Sequence, residues 1–364
     1  MRAIIPPRMK AGDEIRIVAP SLAFSFLEEE VIQTAKKTLE NMGFVVSFSK
    51  LCKETDRSKT DSAYERAKDL EEAFLDTNVK GILTALGGFD CHTILEHLDF
   101  SVIKNNPKVL CGHSDITSLQ NAIFGQTGLV TYSGPHFSSF GINGVTDMEY
   151  TKEMFVKAVT TNDYWLWKEA NKWGRYEVGL DSNGMVSSEA YGNEGVVVVH
   201  SGNLETSTKN DGDSHYQKSL ENERIKTSNG TKIEGTIIGG NLRTLGNLIN
   251  TSYFPSLENT ILFLEDDNIT GGDFVREFFT NLQRLMSMPE FSEVKGIVIG
   301  RSIDQSLRNH LHLLGKFFAG NPLFSHIVVL YGLDFGHTSP MGTFSVGGDC
   351  KISIVDNKAQ IWVR

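Results

Sequence analysis

The chain is short of most features that would set it apart from ordinary soluble globular proteins. Its 364 residues hold four cysteines, Cys52, Cys91, Cys111 and Cys350, scattered and with no C-x-x-C pair. That spacing excludes a disulfide framework or a zinc ribbon and reads as reduced, mostly buried thiols. No apolar run approaches membrane-spanning length. The opening Met1-Arg-Ala-Ile-Ile-Pro-Pro-Arg-Met-Lys10 lacks the apolar stretch of a signal peptide, so a cytoplasmic location is expected. Basic residues are in deficit: 35 Lys and Arg against 45 Asp and Glu give a net charge of −10, which argues against nucleic-acid or anionic-membrane partners. There is no internal repeat and no low-complexity tract.

What remains is 40% hydrophobic and 22% charged, an ordinary globular balance at a length that favours two domains. Strand patterns at Glu14–Ala19, Phe44–Phe48 and Gly81–Leu86 alternate with amphipathic helices at Glu28–Met42 and Ser62–Asp76, and Cys91–Leu98 reads as a short helix. This alternation predicts an α/β fold whose N-terminal part is a mostly parallel sheet covered by helices on both faces. Ligands of such sheets sit beyond the carboxyl ends of the strands, where Gly87-Gly88 falls. Composition changes after Gly141, and the division expected is 1–160, a linker 161–190, and 191–364. The linker carries Trp165, Trp167 and Trp173. Val196–His200 reads as a strand, Glu205–Lys232 as a long polar excursion, and Thr236–Leu245 as the return of regular structure. Strands follow at Ile261–Leu264, Gly296–Gly300 and Ile327–Leu330, with helices at Gly272–Met286 and Ser306–Phe318. The alternation over Thr343–Arg364, about turns at Gly347–Asp349 and Asp356–Lys358, predicts an antiparallel end.

The stretch Lys108-Val-Leu-Cys-Gly-His-Ser-Asp-Ile-Thr117 concentrates the chemistry. A short apolar strand meets Gly112, and from Asp115 onward Ile116, Leu119, Ala122 and Ile123 recur at helical spacing. Ser114 therefore sits on a sharp strand-to-helix bend, hydroxyl outward, beside the free N–H groups of a helix start. A serine nucleophile needs that placement, although on the local pattern alone a helix cap is the commoner explanation. A nucleophile also requires a base and an orienting acid. His337 lies in Gly336-His-Thr-Ser-Pro340, after a strand, and Glu265 ends the strand Ile261–Leu264. His92, His97, His310 and His312 lack metal-ligand spacing and read as surface or packing residues. The order Ser114, Glu265, His337 is that of α/β-hydrolases, yet the bend lacks the second glycine of G-x-S-x-G, which excludes that fold. Asp266-Asp-Asn-Ile-Thr-Gly271 with Glu277 comes close to a calcium loop, but a strand leads into it and Asp273 stands where an apolar residue belongs. No metal and no cofactor are expected.

Taken together, Gly112-His-Ser-Asp-Ile-Thr117, Gly239-Gly-Asn-Leu242, Leu262-Phe-Leu-Glu-Asp266 and Gly336-His-Thr338 resemble the LD-carboxypeptidase family of serine peptidases, which includes self-immunity peptidases that degrade the antibiotic microcin C. Lys10–Ser21, the helix with Arg66 and Asp69, and Gly128–Pro135 are similar to the same family. The resemblance implies an N-terminal domain like that of class I glutamine amidotransferases, a swivelling-type C-terminal α/β domain, and a homodimer. It also implies Ser114 as nucleophile, His337 as base, Glu265 as acid, and the backbone N–H groups of Asp115 and Gly88 as oxyanion donors. Two departures, the polar stretch 205–232 and Val196 where relatives often carry tryptophan, bear on specificity. The first reading is a serine peptidase cleaving an amide near the carboxyl end of a small peptide or a peptidyl- or aminoacyl-nucleotide, as microcin immunity peptidases do. Trp165, Trp167 and Trp173 would then stack on a purine. The second is trimming of the terminal D-alanine from murein tetrapeptides, with Arg243 as the cation for the terminal carboxylate and Asn241 beside it. The third is an inactive small-ligand-binding protein.

Overall fold

The computed structural model describes residues 2–54, 60–142, 147–175, 191–192, 195–201, 230–267, 273–302 and 306–364. Most of the polar stretch 205–232, the linker residues 176–190 and the near-calcium loop at 268–272 lie outside them. The chain is an α/β protein with an N-terminal mostly parallel sheet and a C-terminal mixed sheet. The first sheet is built from β1 (Glu14–Val18), β2 (Val45–Phe48), β3 (Val79–Thr84), β4 (Val109–Gly112) and β5 (Thr131–Ser133), all parallel. Helices α1 (Glu29–Asn41), α2 (Ala63–Leu75), α3 (Phe100–Asn105) and α4 (Ile116–Thr127) alternate with them, and α5 (Met148–Thr160) follows. Their apolar faces follow the spacing read from the sequence: Ala35 and Leu39 of α1, and Ala67, Leu70 and Phe74 of α2, are buried. Cys91–His97 winds as a 3-10 helix.

The second sheet runs β6 (Trp165–Leu166), β17 (Lys358–Val363), β16 (Asp349–Val355), β10 (Thr231–Asn241), β11 (Thr260–Glu265), β12 (Gly296–Gly300), β13 (Val328–Leu333), β9 (Val197–Ser201). Its four central strands, β10 to β13, are parallel, and the flanking ones antiparallel. A small sheet joins β14 (Thr338–Ser339), β7 (Lys172–Arg175) and β8 (Tyr191–Gly192).

Three expectations change. β10 starts at Thr231, so the polar excursion ends earlier than the pattern implied. The helix expected at Gly272–Met286 is α7 (Phe274–Met286), while the one over Ser306–Phe318 is two, α8 (Ser306–Asn309) and α9 (Leu311–Gly320), broken at His310. The antiparallel end is split between sheets: β15 (Phe344–Val346) pairs with β5 of the first sheet, and only β16 and β17 form the hairpin, turning on Asp356 and Asn357 with φ of 50° and 60°. Period-two alternation tells which face a residue takes but not which sheet receives the strand.

The two sheets meet at α4, in which every residue from Ile116 to Ile123 is buried. Its residues Ile116, Leu119 and Ile123 share one apolar core with Ile238 and Leu262 of the second sheet and with α6 (Leu242–Gly246) through Leu242 and Leu245. The contact is close because β10 ends in Gly239 and Gly240, at φ of 139° and 125°. A side chain at Gly240 would collide with Thr117, and one at Gly239 with the Phe263 carbonyl. Asn121 Nδ2 donates to the Gly239 carbonyl at 2.8 Å, and the Asn241 N–H donates to Thr117 Oγ1 at 2.9 Å. Gly239→Ala should cost at least about 2 kcal/mol, from left-hand backbone strain plus a clash with main chain. Gly320→Ala, which meets nothing within 4 Å, should be close to neutral. Urea unfolding of the two variants measures the difference.

Candidate active site

Each of the three side chains singled out from the sequence is delivered by a strand's carboxyl end. β4 runs out at Gly112, His113 follows, and Ser114 adopts φ 58° before α4 begins. That left-handed conformation costs a serine on the order of 1–3 kcal/mol and turns its hydroxyl out of the sheet. Neither Ser114 nor Asp115 acts as a side-chain cap. Asp115, at the cap position, makes no capping bond; its carboxylate accepts from Ser21 Oγ at 2.6 Å and from the Cys91 N–H at 2.8 Å, tying together the loops after β1 and β3. Glu265 ends β11, opposite Asn241 in the register of β10. His337 sits between β13 and β14, after Gly336 at φ 99°. A side chain on Gly336 would strike Glu265 Oε2 at 2.8 Å, so only glycine lets the loop pass.

The three groups form a continuous chain. Ser114 Oγ lies 3.0 Å from His337 Nε2, and His337 Nδ1 lies 2.6 Å from Glu265 Oε2. Glu265 is 2% exposed and Ser114 9%. Burial opposes a charge on His337. Attraction to Glu265, the hydrogen bond to it, and the charges of Asp267 and Asp266 outweigh that cost and raise the pKa from 6.5 to about 9. Asp266 is pushed up to about 7 by burial and by its two carboxylate neighbours, Glu265 and Asp267. The His113 and His136 rings meet at a tilt of 33° with centroids 4.0 Å apart, and His113 lies 5.4 Å from the His337 ring. Both are held neutral, first by burial and then by neighbouring imidazoles, His136 down to about 3.

The expected oxyanion donors flank the serine. A side chain on Gly87 would meet Ser114 Oγ at 3.3 Å, and one on Gly88 would collide with Ser21. Among the described residues the Gly88 and Asp115 backbone N–H groups donate to no protein acceptor. The loop carrying Gly87 and Gly88 is anchored by the buried Arg66, which donates to the Pro20 carbonyl at 2.9 Å and grips both Asp90 oxygens at 3.0 and 2.8 Å.

The residues expected at the substrate take different places. Asn241 is fully buried; its Oδ1 accepts from the Thr244 N–H at 3.0 Å and its Nδ2 donates to Asp267 at 3.1 Å. Arg243 pairs with Asp267 Oδ1 at 2.7 Å and keeps a third of its side chain exposed. Trp165 and Trp167 are not brought to the cleft as open faces. They stack on each other at 5.7 Å in the core, with Lys157 over Trp165 and Gly342 against Trp167. Trp173, on the strand beside β14, is 3% exposed and sits between Tyr191 and Arg301. The reason is physical: rings of that size contribute most by filling the seam where the linker crosses the sheet edge. Sequence reasoning missed Asp267, His113 and His136. The first lay in plain view as the second residue after Glu265; the histidines gave no signal, since their stacking depends on tertiary contact. Among the described residues no group of three or more His, Cys, Asp or Glu could hold a metal ion, and no helix is long and apolar enough to cross a membrane.

Comparison with known proteins adds the following. The profile of the LD-carboxypeptidase N-terminal domain matches residues 15–134, and that of the LD-carboxypeptidase C-terminal domain residues 234–352. The putative carboxypeptidase YocD of Bacillus subtilis (strain 168) is 37% identical over 356 residues, 98% of each chain. The crystal structure of an MccF-like protein from Bacillus anthracis str. Ames superposes with a TM-score of 0.84 at 37% identity, covering 99% of both chains. The microcin C7 self-immunity protein MccF of Escherichia coli is 26% identical over 362 residues, 96% of this chain and 93% of that one. A structure of an MccF mutant in complex with adenosine monophosphate superposes with a TM-score of 0.76 at 25% identity, covering 99% and 98% of the two chains.

Because the folded pKa of His337 lies above 6.5, the imidazolium's contribution to stability is complete below about pH 6.5 and is lost as pH rises through about 9. Glu265→Gln removes the largest favourable charge. Its His337 should titrate well below 9 in an NMR titration, and its unfolding free energy should fall less steeply with pH than that of the wild type.

Proposed function

The chain belongs to the LD-carboxypeptidase family, and on that premise we propose that it is a serine-type carboxypeptidase with Ser114 as nucleophile, His337 as base and Glu265 as the acid that orients the base. The observation that carries this reading is the unbroken run of two hydrogen bonds linking residues 72 and 223 positions apart in the chain. His337 Nε2 takes the proton of Ser114 as Oγ attacks the carbonyl carbon next to the terminal residue. The carbonyl oxygen becomes an oxyanion in reach of the Gly88 and Asp115 N–H groups, worth about 10²–10³-fold each. Collapse breaks the C–N bond, the departing nitrogen takes the proton from Nε2, and water then repeats the sequence on the acyl-serine. The carboxylates around His337 stabilise the imidazolium through which both halves pass.

Substrates of two kinds fit this chemistry: a short peptide with a free carboxyl end, and an aminoacyl- or peptidyl-nucleotide. We favour the peptide, because Arg243 is a cation one-third exposed and paired with Asp267 next to the base, whereas the tryptophans offered for purine stacking are buried. The nucleotide reading keeps one specific support, the likeness to MccF, of which a mutant was solved with adenosine monophosphate. A third possibility, a ligand-binding protein without activity, is separated from both by a fluorophosphonate probe.

Ser114→Ala should stay folded and lose turnover by 10³-fold or more, on the order expected when a triad member is removed. The probe should label wild type at Ser114 and not the variant. Glu265→Gln should cut kcat by about 10³–10⁴-fold. In wild type, kcat/KM should climb with pH up to about 9, since only the neutral imidazole accepts a proton. Wild-type turnover by Ser114→Ala would sink the assignment.

A further inference from the structure

One buried ring nitrogen in the cleft has no hydrogen-bond partner among the described residues. His136 follows β5, is 4% exposed, and its Nδ1 lies 2.7 Å from Thr84 Oγ1 at the end of β3. Its Nε2 is shut off from solvent and unpaired. Burial first, and then the charge on His337, pushes the pKa of His136 down to about 3, so the ring is neutral. One of its nitrogens therefore carries a hydrogen and the other accepts. The Thr84 hydroxyl is buried as well, and among the described residues Nδ1 is its partner. A hydrogen on Nδ1 would leave both the threonine O–H and the Nε2 lone pair unsatisfied. A hydrogen on Nε2 leaves one orphan instead of two, so the imidazole is an Nε2–H donor, and such a donor is costly to bury unpaired. Its place gives it a use: a Cβ added to Gly87 would stand 3.3 Å from Ser114 Oγ and 3.4 Å from His136 Nε2. Nucleophile and donor thus border the same stretch of main chain, one residue before Gly88.

We propose that His136 is a further catalytic residue, whose Nε2–H donates to the oxyanion formed when Ser114 attacks, beside the N–H groups of Gly88 and Asp115. The inference rests on the serine-peptidase reading and adds a side chain to it. On attack the Oγ–C bond forms, the Oγ proton passes to His337 Nε2, and the carbonyl π pair moves onto oxygen. That oxygen is two bonds from Oγ, at the rim that Gly87, Gly88 and His136 share. A neutral imidazole suits the task. It offers an N–H without adding a second positive charge beside the imidazolium that His337 becomes. The two rings divide the work: His337, against the carboxylates, takes up a proton, and His136, among imidazoles, keeps its own. The bond to Thr84 and the His113 ring, 4.0 Å away between centroids, fix the donor before the reaction begins. Catalytic hydrogen bonds of this kind are commonly open in a free enzyme and close on the reacting molecule. Position 87 must then stay glycine, since a side chain there would wedge between nucleophile and donor.

The test uses an alkyl fluorophosphonate, which reports on Ser114 whatever the natural substrate. The Oγ–P bond forms, the P–F bond breaks, fluoride leaves, the Oγ proton goes to His337 Nε2, and the phosphoryl oxygen stays where the oxyanion would sit. In wild type carrying nitrogen-15 histidine, NMR should show His136 as the Nε2–H tautomer, and that proton should move downfield once Ser114 is phosphonylated. His136→Phe keeps a flat ring without the donor and should be labelled about 10²-fold more slowly. His136→Gln, whose amide nitrogen reaches to a similar place, should regain about 10-fold of that loss, and the resonance missing from its spectrum assigns His136. Circular dichroism checks that both variants are folded; if His136→Phe is not, the wild-type NMR readouts decide alone. A hydrogen on Nδ1, a His136 resonance unmoved by the adduct, or a His136→Phe labelled as fast as wild type would each overturn the proposal and leave Ser114 as nucleophile. So would equal slowing of the Phe and Gln variants, which is what a ring with a purely structural role produces. A wild type that the probe does not label would remove the serine-peptidase reading together with this one.

Discussion

Everything at the site depends on how closely the helix that follows Ser114 can lie against the end of β10. Ser114 belongs to the first sheet and Glu265 to the second, so the distance between them is set wherever the two sheets touch. Two consecutive glycines at left-hand φ let α4 press Thr117 and Asn121 directly onto main chain, and three hydrogen bonds to Gly239 and Asn241 fix the depth of contact. Asn241 and Glu265 are register partners on adjacent strands. Docking α4 on Asn241 therefore places Glu265 where an imidazole can bridge to Ser114. Packing energetics sets the geometry of the Ser114–His337–Glu265 chain here: a methyl group at Gly239 or Gly240 acts on it through nothing more than the separation of two sheets.

The same arrangement explains the charge balance around His337. A single carboxylate would suffice to hold an imidazole in one tautomer, yet three acidic residues in a row, Glu265 to Asp267, end β11 beside it. Burial alone would hold His337 neutral, as it does His113 and His136 a few ångströms away. Neighbouring imidazoles in one cleft thus take opposite settings, and the side on which the carboxylates lie decides which of them can carry a proton.

Much of this was legible in the residues and some was not. The strand–bend–helix around Ser114 follows from a four-residue apolar run, a glycine and a helical period, all local features. The placing of Glu265 and His337 after strands was equally readable, since ligands gather at the carboxyl ends of parallel sheets. Asn241, expected beside the substrate, caps α6 and anchors α4, a role visible only when Thr117 comes into contact with it. The burial of Trp165, Trp167 and Trp173 was not legible for a related reason. Three large rings in one linker look like a binding surface, while in three dimensions the linker runs along a sheet edge that needs filling. Sequence spacing gives periodicity and termini; it does not tell which sheet a strand will join, and β15 is the instance that matters most.

That strand bears on how His337 is held. The segment from β13 to β15 leaves the second sheet at Leu333, carries His337 across the cleft, and enters the first sheet at Phe344, where it pairs with β5 through Ser133. On the way β14 pairs with β7, and the Met341 N–H donates to Thr151 Oγ1 of α5 at 3.0 Å. After β15 the chain turns back, and main-chain bonds link Ile237 of β10 to Gly347 and Gly348. The loop bearing the imidazole is thus tethered at both ends, to a different sheet at each, so any hinge that parted Ser114 from His337 would also have to strip β15 from the first sheet. Among the described residues the seam between the sheets is consequently tied on both sides of His337, through the run of β13 in the second sheet and the pairing of β15 in the first.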